Sequence, residues 1–331
     1  MKIAVLMGGR SGEHAVSLRS GAAVVKACEA LGWESWQLVI TRDGRATWPE
    51  ADGQSGSIGQ GLVALEQADV DCAFIAMHGP DGEDGRVQGA LELMGIPYQG
   101  SGVQASAIGL DKRRTKDLLR TASLPVADDL VLATRDVPTD WEQVSATLGL
   151  PVVLKTLASG SSVGVAIVRT QTDLAKEGES MLATGLVVAE RFVAGREFTL
   201  PVLESLDGRP TALPVVEIRP RSAAFFDYEA KYTPGAADEI CPAPIDPPLE
   251  AQLRALGVAA HQALGCSGYS RTDCIVDPSG AVFLLEVNTL PGLTAESLLP
   301  KAAAAVDLTF AQLVERLVLR GIAAHGPARP G

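Results

Sequence analysis

Along the first hundred residues, apolar and polar positions alternate between two periods. Lys2–Met7 is a short apolar run closed by Gly8-Gly9, and Ser35–Ile40 and Cys72–Met77 are further runs of strand length. Val16, Ala23, Ala27 and Leu31 fall on one helical stripe that Gly32 ends, and Gln88–Met94 reads as a helix before Gly95-Ile96-Pro97. Strand and helix in alternation predict a small α/β domain with a parallel sheet over residues 1–99.

The texture changes near Gly100. A basic helix, Asp111–Thr121, is followed by a run with several prolines, then by Val152–Lys155, a Gly/Ser-rich loop, Gly164–Arg169 and Leu186–Glu190. Strand, glycine loop and strand predict an antiparallel hairpin within a central domain, residues 100–187. A third domain, 188–321, begins with β patterns and closes with a hairpin and a helix through Leu313–Leu319. The last residues, 322–331, are expected to be a disordered tail. No internal repeat is present.

Composition narrows the function. With 331 residues and 47% apolar side chains, two or three cored domains are affordable, and wholesale disorder is excluded. The 28 Lys+Arg against 40 Asp+Glu leave a net charge of −12, which opposes non-specific binding to nucleic acid or an anionic membrane. No run approaches the roughly 18 apolar residues of a membrane span, and Ile3–Met7 is too short for a secretory core. A cytoplasmic protein is therefore expected. Cysteines 28, 72, 241, 266 and 274 form no C-x-x-C and read as reduced core thiols; histidines 14, 78, 261 and 325 are equally dispersed, which argues against zinc.

Two glycine motifs bear on nucleotides. The P-loop pattern is absent, and Gly100-Ser101-Gly102-Val103-Gln104-Ala105 fits G-x-G-x-x-A without a clear preceding strand, so it reads as a turn leading into a helix. Ser159-Gly160-Ser161-Ser162-Val163-Gly164 follows Lys155 at the end of an apolar strand. Such a loop bares N–H groups and hydroxyls to phosphate, with the lysine as a point charge; read alone, it is slightly better taken as a flexible hairpin tip.

Tyr269–Asn288 is the most informative stretch. Tyr269–Val276 and Ala281–Asn288 alternate as strands around the turn Asp277-Pro278-Ser279-Gly280. A two-residue-loop register sets Asp273 opposite Leu284 and Glu286 one diagonal step away on the same face, about 7–8 Å between backbones. A bulge at Gly280 would shift that register. The oxygen donors Asp273, Glu286 and Asn288 suit Mg²⁺ or Mn²⁺; the plainer alternative is a solvated sheet face with an Arg–Glu pair. Thr289-Leu290-Pro291-Gly292-Leu293-Thr294, before Ser297-Leu298, is a glycine turn into a helix that offers N–H groups to an anion.

In order and spacing, these segments resemble the D-alanine–D-alanine ligase family of the ATP-grasp superfamily, from Lys2 to about Leu319. The likeness is carried by Met7–Glu13 with Val16-Ser17, Met77-His78-Gly79 with Gly82–Gly85, Leu91–Ser101, Asp111-Lys112 and Gly160–Gly164. It continues through Phe226–Tyr232, Arg271-Thr272-Asp273, Glu286–Thr289 and Pro291-Gly292. The resemblance implies an α+β ATP-grasp fold of three domains, with ATP between the central and C-terminal ones. It implies that ATP phosphorylates the carboxylate of one D-alanine and that the amine of a second attacks the acylphosphate, for peptidoglycan precursor synthesis. Two Mg²⁺ (or Mn²⁺) ions are implied, and a homodimer.

The family roles fall on particular positions. Glu13 is expected to hold the ammonium of the first D-alanine and His78 to orient it. Lys112, Lys155, Ser161, Ser162 and Lys231 are expected on ATP phosphates, Glu190 at adenine and Glu197 at ribose. Ser161, Tyr232 and Glu13 form a linked catalytic set, and Arg271 with the N–H of Gly292 is expected to stabilise the oxyanion. Ser297 and Leu298 are to receive the second carboxylate, and Asp273, Glu286 and Asn288 the metals. Arg113, Arg114 and Lys116 are expected to remain a solvated helix face.

Three departures from the family pattern stand out: Thr156 where proline is usual, the uncharged Leu157-Ala158-Ser159, and Glu296 beside Ser297. If Glu296 points inward, it repels an incoming carboxylate. The departures at Thr156 and near Ser297 motivate an alternative, a ligase for other small D-amino or hydroxy acids such as D-serine or D-lactate, although Phe226–Tyr232 looks like the peptide-forming type. A non-catalytic nucleotide or amino-acid binder is the third reading, and the complete Arg271, Asp273, Glu286, Asn288 set argues against it.

Overall fold

In the computed structural model, residues 1–132, 139–156, 164–221 and 237–326 are described. The N-terminal strands are β1 (Lys2–Gly8), β2 (Glu34–Ile40), β3 (Arg45–Thr47), β4 (Gly56–Ser57) and β5 (Cys72–Ile75), with helices α1 (His14–Ala30), α2 (Ile58–Gln67) and α3 (Arg86–Met94). They form a five-stranded sheet, order β4-β3-β2-β1-β5, in which β1 lies parallel to both β2 and β5. β3 and β4 add an antiparallel margin.

The buried stripe of α1 is not the one the apolar pattern suggests. Ser17, Ser20, Gly21, Val24, Ala27 and Cys28 face inward, while Val16 and Ala23 are only half-buried. The serines are admitted because they are bonded: Ser17 Oγ donates to the Ala76 carbonyl at 2.7 Å and accepts from Gly8 N–H at 2.8 Å.

Helices α4 (Val103–Leu110) and α5 (Lys112–Thr121) follow, then β6 (Asp129–Leu132), α6 (Trp141–Leu148), β7 (Val152–Thr156), β8 (Val165–Val168), α7 (Gln171–Leu182) and β9 (Val187–Arg191). The four strands form a second sheet, order β6-β9-β7-β8, and β7 and β8 are the expected antiparallel pair. β9 runs across the expected boundary at 187/188, so the change of sheet comes between Arg191 and Arg196. The reason is its pairing: β9 is zipped to β7 along its whole length. The α4–α5 segment, expected with the central domain, packs its Ile108, Leu118 and Leu119 into the core beneath the third sheet.

That sheet holds β10 (Arg196–Glu204), β11 (Pro210–Ala212), β12 (Val216–Pro220), β13 (Ala237–Ile240), β14 (Tyr269–Val276) and β15 (Val282–Asn288), order β13-β12-β10-β14-β15, with β11 on β10. Helix α8 (Pro247–Leu264) packs on it, and α9 (Leu298–Ala304) and α10 (Phe310–His325) complete the chain. α10 returns to the first domain, so Leu313, Val314, Leu317 and Val318 share a core with β1 and β5. His325, expected in the tail, ends this helix and lies 4.2 Å from the Tyr98 ring. Gln99 ties the two ends together, bonding both main-chain groups of Ile75 (2.8 and 2.9 Å) and the Tyr269 hydroxyl (3.3 Å).

All five cysteines are free thiols, four of them buried. Burial pushes Cys28 up to about 11 and Cys266 to about 12, which keeps both as unreactive thiols at neutral pH. Among the described residues, no helix is long and apolar enough to cross a membrane.

Candidate active site

Three groups of side chains carry the expected site residues, one on or beside each sheet. The first lies at the C-terminal end of β1 and the start of α1. Glu13 sits at the helix N-cap, with its N–H on Ser11 Oγ (3.2 Å), and Ser11 Oγ donates to the His78 carbonyl at 2.8 Å. Gly79, at φ +71°, passes so close that a Cβ there would lie 3.1 Å from Glu13 Oε2. Only glycine combines that conformation with that approach. His78 is buried, its Nε2 3.0 Å from Ser20 Oγ and its Nδ1 3.3 Å from Glu83 Oε1. The structure thus brings Glu13 and His78 together, and Ser20 and Glu83, which sequence reasoning missed, fix the imidazole.

The second group lies on the central sheet. Glu190, on β9, is buried and receives Lys155 of β7 at 2.8 Å on one oxygen and Lys116 of α5 at 3.0 Å on the other. Lys116 therefore corrects the expectation of a solvated face, for it is 1% exposed. Arg113 and Arg114 do remain exposed. The helical turn explains the difference: Thr115, Lys116 and Leu119 make one buried face, while Arg113 and Arg120 pair with Asp117 outside. That spacing was available in the sequence. Burial disfavours the charge on Glu190, but Lys155 and then Lys116 hold its pKa below the ordinary glutamate range. Burial likewise opposes the charge on Lys155, and Glu190, followed by Glu286 and Glu197, raises it above the usual lysine value. Lys155 is thereby located within the field of the C-terminal sheet's carboxylates. Lys112 opens α5, whose Asp111 cap accepts from the N–H groups of Arg113 and Arg114.

The third group is the β14–β15 ribbon. Asp273 pairs directly with Glu286, not with Leu284, and Arg271 with Asn288. Two features correct the expected diagonal register. The loop closes Val276 on Val282, with Gly280 at φ +88° and Asp277 Oδ1 accepting from Ser279 and Ala281, and a bulge between Asp273 and Cys274 shifts the pairing once more. The outcome is tighter than expected, since facing side chains in a direct pair start about 4.5–5.5 Å apart. Asp273 is buried and takes the Arg271 fork, Nε to Oδ1 at 2.9 Å and Nη2 to Oδ2 at 2.8 Å; Thr199 of β10 also donates to Oδ1. Asn288 Oδ1 accepts the Leu290 N–H at 2.9 Å. Glu197, on β10, stands opposite Ile275 in the same sheet.

Beyond the ribbon, the Gly292 turn leads into α9. Ser297 caps it, and Ser297 Oγ accepts the Thr294 N–H at 3.1 Å. A Cβ on Gly292 would lie 3.0 Å from Ser297 Oγ, so glycine keeps the turn against the cap. Leu298 packs with Ile218 and Ala237. Glu296 does not point inward: its side chain is 89% exposed and 3.7 Å from Lys301, which pairs with Glu239 at 2.7 Å. Ser161, Ser162, Lys231 and Tyr232 lie outside the described residues.

Oxygen donors from Asp273, Glu286 and Asn288 on one face suit a hard divalent cation, and Asp273 Oδ2 keeps a second lone pair beyond its bond to Arg271. Among the described residues, no three His, Cys, Asp or Glu side chains cluster.

Comparison with known proteins bears on the whole chain. Residues 2–101 match the family model described as D-ala D-ala ligase N-terminus, and residues 118–319 the one described as D-ala D-ala ligase C-terminus. The chain is 43% identical over 319 residues to the D-alanine--D-alanine ligase of Desulforudis audaxviator, covering 96% of this chain and 97% of that one. It is 41% identical over 325 residues to that of Desulfotalea psychrophila, covering 97% and 95%. Among solved structures, the D-alanine--D-alanine ligase from Bacillus anthracis complexed with ATP superposes with a TM-score of 0.79 at 30% identity, covering 98% of each chain. The Coxiella burnetii ligase does so with 0.82 at 28% identity, covering 98% of this chain and 94% of that one.

Proposed function

The chain belongs to the D-alanine–D-alanine ligase family, and from that premise we propose that it joins two D-alanines at the expense of ATP by way of a D-alanyl phosphate. The observation that supports the reading is the Arg271, Asp273, Glu286, Asn288 face, whose Glu286 acts, with Glu197, on the Lys155 of the Lys155–Glu190 pair.

In the first step, a carboxylate oxygen of D-alanine attacks the γ-phosphorus, and the bond to the bridging oxygen of ADP breaks. Glu13 receives the substrate ammonium, and His78, fixed by Ser20 and Glu83, orients the molecule. Lys112 and Lys155 meet phosphate oxygens, Glu190 the adenine and Glu197 the ribose. In the second step, the amine of another D-alanine attacks the acyl carbon, the tetrahedral intermediate collapses, and inorganic phosphate leaves. Arg271, its plane fixed by Asp273, and the Gly292 N–H take the oxyanion charge. Ser297 and Leu298 receive the second carboxylate at the start of α9. Asp273, Glu286 and Asn288 are the residues to hold Mg²⁺ or Mn²⁺, two ions in this reading. Bound there, the ions supply charge neutralisation between phosphate and carboxylate. Ser161, Ser162, Lys231 and Tyr232 keep their expected roles as part of the proposal.

The exposed, lysine-paired Glu296 removes the electrostatic motive for a different second substrate. The same reading makes the protein a cytoplasmic homodimer serving peptidoglycan precursor synthesis. The test is product identification: the protein with ATP, Mg²⁺ and D-alanine is expected to yield D-alanyl-D-alanine, ADP and phosphate by mass spectrometry. ADP release that ignores D-alanine, or faster turnover with D-serine or D-lactate as second substrate, would overturn it.

A further inference from the structure

Lys116 has no part in the mechanism above, yet it is enclosed beside the nucleotide residues. A lysine is rarely buried unless its charge is met, and here the Glu190 carboxylate meets it at 3.0 Å, with the Ala127 carbonyl at 3.5 Å. The two lysines on Glu190 differ in access. Lys155 retains 13% exposure and lies in the field of Glu286 and Glu197; Lys116 lies behind, closed off from solvent.

We propose that Lys116 is a positioning residue for nucleotide binding: it holds Glu190 ionised and oriented from behind, so that Lys155 can leave the carboxylate for a phosphate oxygen. The inference rests on the reading that ATP binds between Glu190 and the β14–β15 ribbon. The charges balance in both states. Before binding, two ammonium groups share one carboxylate. After Lys155 turns to phosphate, a neutral Lys116–Glu190 pair stays behind. Without Lys116, Lys155 is the only lysine on a buried carboxylate, and moving it strands that charge.

The arrangement also makes nucleotide affinity depend on pH. Lys116 is faced by Glu190 from β9, by Lys155 from β7 and by Arg120 on its own helix, which pairs with Asp129 of β6. Burial draws Lys116 down to about 8, with Glu190 opposing and Lys155 assisting. As pH rises past that value, Lys116 loses its proton and Glu190 its rear partner, so ATP binding weakens.

The experiment is calorimetric titration of the full-length protein with a non-hydrolysable ATP analogue and Mg²⁺, in Lys116→Met, Lys116→Arg, Glu190→Gln and the Lys116→Met/Glu190→Gln double variant. Lys116→Met is expected to weaken binding about tenfold or more, with Lys116→Arg recovering part of the loss and the KM for D-alanine within about twofold of wild type. The wild-type affinity is expected to fall above pH of about 8, and the fall to vanish in Lys116→Met. Should Lys116→Met fail to fold, the Glu190→Gln pair decides. With the carboxylate neutral, Lys116 has nothing to hold, and removing it is expected to change affinity by less than about threefold. A tenfold loss in that background, or a folded Lys116→Met that binds like wild type, overturns the inference and leaves the nucleotide reading intact. Wild-type affinity in Glu190→Gln would instead remove the nucleotide role of Glu190, and the inference with it.

Discussion

Glu190 and Glu204 are both buried carboxylates ringed by positive groups, and the two rings are built differently. Glu204, at the end of β10, takes the Gly268 N–H at 2.7 Å and Arg320 Nε at 2.8 Å on one oxygen, and faces His261 Nε2 at 3.3 Å on the other. Arg316 bonds its carbonyl at 2.9 Å, and His261 is held from behind by Ser270 at 2.8 Å. Both glutamates have pKa values lowered against burial, so a depressed carboxylate alone does not mark a functional site. The partners do. Glu204 is held by backbone and guanidinium donors with fixed geometry, and it joins β10, β14, α8 and α10. Glu190 is held by two lysines, point charges on flexible stems, one of them at the edge of the site. The first is a rivet; the second can be partly undone.

The largest effect follows from breaking the rivet. Glu204→Gln leaves Arg320 and its neighbours around a neutral amide, and is expected to lower unfolding free energy by about 3–5 kcal/mol in urea titrations. The KM for ATP is expected to stay within about twofold of wild type. A comparable rise in the ATP KM would mean that the two carboxylates are not separable as drawn. The pH dependence carries the same contrast. Because the folded-state pKa of Glu204 is depressed, its stabilisation is complete above the ordinary glutamate pKa and is lost as pH falls through the lowered value. Wild-type stability should therefore fall with acid in that window by up to about 1.4 kcal/mol per pH unit more steeply than that of Glu204→Gln. Parallel curves would deny Glu204 its ionised role.

The two clusters also show what can be read from a sequence. The parallel N-terminal strands, the central hairpin and the shared face of Asp273, Glu286 and Asn288 are legible, because period-two alternation and turn residues are local signals. The direct Asp273–Glu286 pairing is not, since a bulge is a backbone irregularity without a side-chain signature. Lys116 sat on a buried helical face that its spacing to Leu119 reveals, but the carboxylate that admits it lies on a distant strand. Likewise, the inward stripe of α1 runs through Ser17 and Ser20 because Ala76, just past β5, and His78 supply partners from elsewhere. What local pattern misses is polar burial, because its warrant is a non-local bond.

His78 is an intermediate case, a buried ring with one partner on each nitrogen. Ser20→Ala removes the Nε2 partner and leaves the ring free to turn about its contact with Glu83. Since leaving one buried group unpaired costs about 1–3 kcal/mol, the KM for the first D-alanine is expected to rise about three- to tenfold, with kcat within about twofold. An unchanged KM would place His78 among the structural residues beside His261.

The smallest effect is expected at Glu296, and it is informative for that reason. Its position next to Ser297 suggested interference with an incoming carboxylate, whereas its side chain is 89% exposed and directed to Lys301. An exposed pair at that distance is screened and contributes little. Glu296→Gln is therefore expected to change the KM for the second D-alanine by less than about twofold, at low salt and at 0.5 M salt alike. If the substitution instead tightens that KM several-fold at low salt only, the carboxylate acts on the substrate through space. The boundary between site and surface would then lie farther out along α9 than its side chains indicate.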